Sequence, residues 1–119
     1  MPDLLFDVNL QQLPDEYLQG TWRVASRVLN RANTESALAQ ATHLHLQHGH
    51  LQLNADGHEE EGAWRVQRDE LLKRPYLELH LAQESTRALI TRLRRSADGI
   101  RSQLSLYFLS GMEVLLAQP

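Results

Sequence analysis

The chain has no cysteine among its 119 residues, which excludes disulfides, thiolate metal sites, iron–sulfur clusters and cysteine nucleophiles and fits a reducing compartment. Aromatic residues are scarce at 6%, and tryptophan occurs only twice. No apolar run approaches the roughly 18 residues that a membrane span requires. The start, Met1 to Asp7, has no basic region and only the short apolar run Leu4-Leu5-Phe6, so it does not read as a signal peptide. Positive charge is not in excess either: the formal net charge is −3, the wrong sign for a nucleic-acid surface. These absences lead us to expect one cytoplasmic domain with neither a membrane nor a nucleic acid as partner, large enough to bury a core without staples.

What is present is a pattern stated twice. Gly20-Thr21-Trp22-Arg23-Val24 returns as Gly62-Ala63-Trp64-Arg65-Val66. In each copy the indole and the valine fall on one face and the arginine on the other, the period of a half-buried strand. Each indole buries on the order of 150–250 Å². The two together anchor a small core.

Residues 1–13 form an N-terminal arm, read either as a short helix capped by Asp3 or as irregular chain. Pro14 to Leu18 reads as one helical turn, with proline at its start and acids in the first turn, and Gly20 ends it. The first strand, about 21–29, places Trp22, Val24 and Val28 on one side and Thr21, Arg23 and Arg27 on the other. Residues 30–41 read as a short surface helix or a loop crossing one end of a barrel. In His43 to Leu53, two alternating runs flank His48-Gly49, which suits a two-residue hairpin turn. With that turn Leu46 pairs with Leu51 and Leu44 with Leu53, all on one face. Further strands are expected at about 60–68, 76–81, 88–94, 103–109 and 112–117.

Eight antiparallel strands in one short domain either split into a sandwich or close on themselves, and closure removes both exposed edges. We expect residues 14–117 to form a single eight-stranded, up-and-down, antiparallel β-barrel, all-β apart from the short N-terminal helical turn. The inward candidates, among them Trp22, Val24, Leu53, Trp64, Val66, Leu79, Ile90, Leu106 and Phe108, are all apolar. Such an interior is either filled by side chains or holds one small ligand.

The first Gly-x-Trp after a helical turn, the second on a middle strand, and the closing Leu104-Ser105-Leu106-Tyr107-Phe108 and Gly111-Met112-Glu113-Val114 together resemble the lipocalins and the wider calycin superfamily. The likeness is closest to small bacterial lipocalin-like domains. It implies binding of small apolar molecules in the barrel mouth; we expect a small apolar or amphipathic ligand in the interior, with no cofactor and no catalysis. The family also carries an arginine packed on the first tryptophan; no basic residue follows Arg101 here, and Arg92 supplies that contact if it faces inward with Ile90.

The expected ligand wall is therefore Trp22, Trp64, Leu79, Leu106 and Phe108, with Arg92 as polar contact and a small hydrophobic molecule as partner to a monomer or homodimer. A filled barrel acting through its outer surface is the alternative. His43, His45 and His50 share the outer face of the hairpin and form a weaker metal candidate for zinc or nickel, against a plainly solvated histidine-rich face. Glu59-Glu60-Glu61 point to alternating faces, so they cannot act as a carboxylate pair and read as a solvated edge. Arg92, Arg94, Arg95 and Arg101 make one end basic, which suits either an anionic partner or charge protection of an edge. No serine, base and acid converge in the sequence pattern, so no enzyme is expected.

Overall fold

The computed structural model describes residues 4–28, 37–55, 57–82 and 84–118. Its strands are β1 (Leu5–Asp7), β2 (Gly20–Val28), β3 (Ala41–Gln47), β4 (His50–Ala55), β5 (His58–Arg68), β6 (Pro75–Leu81), β7 (Ser85–Ser96), β8 (Ser102–Phe108) and β9 (Glu113–Gln118). From β2 to β9 each strand pairs antiparallel with the next, and β9 pairs back onto β2. The result is a closed eight-stranded antiparallel barrel. The β3–β4 hairpin has the register expected from its leucines, Leu44 against Leu53 and Leu46 against Leu51. Its turn works because His48 and Gly49 both take positive φ, 38° and 81°, as a two-residue hairpin of right-handed twist requires.

The arm is neither of the two forms expected of it. Leu5–Asp7 is a ninth strand laid on the stretch of β7 that runs past its pairing with β6, with Leu5 opposite Ser96 and Asp7 opposite Arg94. Leu10–Gln12 and Asp15–Tyr17 are single 3₁₀ turns. Of the expected crossing segment, Ala37–Gln40 is a short helix, α1, and residues 29–36 lie outside the described residues.

The N-terminal turns close one end of the barrel, here called the near end. Leu18 is fully buried there and Leu13 nearly so. The Trp22 indole donates to the Leu18 carbonyl at 2.8 Å, Gln118 reaches back to the Gln19 carbonyl, and Arg68 holds the Leu10 carbonyl. Gly20 fits at that seam because its φ is +119° and a Cβ would strike the Gln118 amide. Gly62 in the second copy serves differently: a Cβ there would collide with the His80 carbonyl of β6. The two Gly-x-Trp motifs thus need glycine for different contacts.

Nearly every residue expected to face inward does so and is buried, with Val24 and Val66 partly covered against the core. Three positions differ, and β-bulges explain them all. An extra residue in β2 between Val24 and Ser26 reverses the alternation. Val28 is turned out and is 59% exposed, whereas Arg27 comes to lie opposite inward-facing Val114. An extra residue in β7 between Ile90 and Arg92 does the same, so that Leu93 is the fully buried residue and Arg92 is exposed.

Candidate functional site

Of the expected wall, Trp22, Trp64, Leu79, Leu106 and Phe108 all face the interior and are at most 5% exposed. Arg92 is not among them. Its guanidinium lies outside, 3.5 Å from Asp7, which Arg94 also approaches at 3.4 Å. The cation–π contact at the near end belongs to another pair: the Arg95 guanidinium sits 3.8 Å from the centre of the Tyr17 ring. Two of the four arginines of the basic end therefore hold the N-terminal arm to the barrel, a role in which charge fixes packing.

The interior is closely packed. Leu46, Leu51, Leu53, Leu77, Leu79, Leu93 and Leu104 have no accessible surface. At the far end, where β2 finishes and β4 turns into β5, Ala39, Ala55 and Leu81 keep small residual exposures. Two charged groups enter the barrel there. Arg27, brought in by its bulge, donates from Nη2 to the Ala41 carbonyl at 2.7 Å, and burial pulls its guanidinium below the ordinary arginine value. Glu60 lies opposite Leu53 and so shares the inward face of that leucine.

Glu60 and Trp64 are alike in one respect. Glu60 Oε2 and Trp64 Nε1 are both shielded from solvent and without a hydrogen-bond partner. They stand on the same face of β5, four residues apart, with Gly62 between them contributing no side chain. Buried polar atoms are almost always paired, and one left unpaired calls for an explanation. Arg27 was hidden from sequence reading by its bulge. Glu60 had a signal in the sequence: counting back by twos from Trp64 through Gly62 places it on the indole's face.

The outer face carries the other candidates. His45 is fully engaged, its Nδ1 2.9 Å from Thr21 Oγ1 and its Nε2 3.3 Å from Asn54 Nδ2. His43 meets Thr42, and His50 faces Glu61 at 3.7 Å. Among the described residues, no three histidine or acidic side chains converge as a metal site. Glu59 and Glu61 are exposed as expected, whereas Glu60 is half-buried rather than part of a solvated edge.

On β6 and β7 the fold brings together three residues that are not adjacent in the chain: Ser85 Oγ lies 3.1 Å from His80 Nδ1, and His80 Nε2 lies 3.4 Å from Glu78 Oε2. Arg65 takes the same carboxylate oxygen at 2.6 Å and holds the Glu78 carboxyl below the usual glutamate range. The histidine thus has the weaker claim on Glu78, and its ring is 47% exposed. Water competes there for every proton the chain of contacts would relay.

Compared with known proteins, the chain matches no protein-family model, no curated protein and no solved structure. Among the described residues, no helix is long and apolar enough to cross a membrane.

Proposed function

We propose that this chain is a non-enzymatic binding protein that takes a small amphipathic molecule into the far half of its barrel, as the lipocalin likeness implies. The observation that carries the reading is the shielded Glu60 Oε2, without a hydrogen-bond partner on the inward face of the barrel. A carboxylate placed there without a partner costs free energy, and a purely structural barrel gains nothing from it. Leu81, Ala55 and Ala39 supply apolar surface beside it that is still partly accessible. In this reading Trp22, Trp64, Leu79, Leu106 and Phe108 form the apolar wall, with Glu60 and Arg27 in the polar role first expected of Arg92. In the same reading the protein is cytoplasmic and works as a monomer or homodimer.

Titration of the intrinsic tryptophan fluorescence with short-chain amphiphiles tests the proposal. Saturable change at stoichiometric ligand is expected; no change at large excess overturns it. A second reading, a filled barrel acting through its exterior, draws on the inaccessible leucines of the interior and on Leu71 and Leu72, which are 92% and 61% exposed. It predicts no small-molecule response and a stable protein partner that is lost when Leu71 and Leu72 are replaced by serine.

A further inference from the structure

We infer that the near end carries a site of its own, separate from the barrel interior, that takes a small carboxylate with a flat apolar body on the Arg95 guanidinium. Arg95 stands two residues beyond Leu93 on β7, past the bulge, so it continues the inward face of that buried leucine. There the strand has run beyond the packed interior. Phe6 of β1 lies opposite Arg95 in register and so shares its face. With Val8, Tyr17 and the turn from Ser96 to Gly99, these residues line an open cleft of about 430 Å³, within the size range of small-molecule sites.

Three charged side chains line the cleft, and they are not equally served. Asp7 is met by Arg92 and Arg94; Asp98 accepts from the Ser96 hydroxyl and the Ile100 backbone N–H. Arg95 has no counter-ion: among the described residues its one partner is the Tyr17 ring, whose centre lies 3.8 Å away. Its Nε is shielded from solvent, so a ligand meets the two Nη groups at the end of the fork. Gly99 leaves room for them, since a Cβ there would stand 2.9 Å from Nη2. Stacking on Tyr17 fixes the plane of the fork before anything binds, and a planar carboxylate matches it with two parallel hydrogen bonds. A dianion fits worse, because the Asp7 and Asp98 carboxylates share the lining. Phe6, 55% exposed, supplies the apolar wall for a ring attached to the carboxylate.

Phenylacetate, its neutral isostere phenylacetamide and the dianion phenyl phosphate test the assignment. Titration of a ¹⁵N-labelled sample at pH 7, followed on the backbone amide resonances of Phe6 and Gly99, is expected to show phenylacetate binding roughly tenfold or more tighter than phenylacetamide, the effect of a charge-assisted hydrogen bond. Phenyl phosphate is expected to bind more weakly than phenylacetate. The Trp64 indole resonance is expected to stay in place, which separates this site from the interior. Arg95→Gln is expected to bring phenylacetate down to the affinity of the amide, with the rest of the amide spectrum showing that the barrel is folded. Should that variant lose its fold, Phe6→Ala removes only an exposed ring and is expected to weaken phenylacetate and phenylacetamide alike. Absence of phenylacetate binding at large excess, equal affinity of acid and amide, tightest binding by phenyl phosphate, shifts confined to the Trp64 indole, or phenylacetate binding unchanged by the substitution each overturns the inference.

Discussion

The Trp22 indole nitrogen donates to the Leu18 carbonyl at 2.8 Å, joining the first barrel strand to the 3₁₀ turn that precedes it. Both residues are fully buried, so this one bond joins the plug of the near end to the core. Trp22→Phe keeps an aromatic ring but strands the carbonyl and leaves a gap. A loss of roughly 2–4 kcal/mol is expected, measured by urea unfolding. A loss within experimental error would mean that the turn does not depend on the indole.

The β7 bulge makes adjacent positions unequal. Leu93→Ala is expected to cost about 2–5 kcal/mol, because it empties a fully buried site. Arg92→Ala removes only an exposed contact to Asp7 and is expected to cost less than about 1 kcal/mol. Thermal denaturation of the two variants checks the assignment; the reverse order would place Arg92 inside.

Gly62 is fixed by its neighbour strand. Alanine there meets the His80 backbone carbonyl, which cannot rotate aside, so Gly62→Ala is expected to destabilise by roughly 1–3 kcal/mol. At Gly57 a Cβ meets nothing within 4 Å, and only its φ of +78° opposes substitution. The expected order of melting temperatures is wild type, then Gly57→Ala, then Gly62→Ala.

Acid sensitivity follows from three carboxylates held below their ordinary range. Hydrogen bonds from Arg65 lower Glu78, the Leu72 backbone N–H lowers Asp69 and the Ser96 hydroxyl lowers Asp98. A group whose folded value is depressed contributes stability that is present above its unfolded value and lost as the pH falls through the folded one. Stability is therefore expected to hold above pH 4.5, the ordinary glutamate value, and to decline below it. Glu78→Gln is expected to flatten part of that decline in unfolding curves taken between pH 3 and pH 7. An unchanged slope would remove Glu78 from the account.

The hairpin from Ala41 to Ala55 was legible because everything it needs is local: alternating leucines and a turn whose residues accept positive φ. The inward facing of Trp22, Trp64, Leu79, Leu106 and Phe108 was legible for the same reason, since period-2 alternation assigns a face without knowledge of the partner strand. Glu60 was within reach of that rule and was hidden only by its two acidic neighbours, which draw attention to the charge of the run rather than to its faces.

The sequence by itself determined which segments are the eight barrel strands, which face each begins with as apolar, and that a short turn precedes the first tryptophan. Only the tertiary structure decided that Arg27 enters the barrel, that Arg92 leaves it, and that residues 5–7 join the sheet. The physical reason is that alternation is a property of one strand, whereas a bulge is set by the bend that closure forces on a strand between two neighbours. One inserted residue exchanges the two faces, and the sequence carries no mark of where the bend must fall.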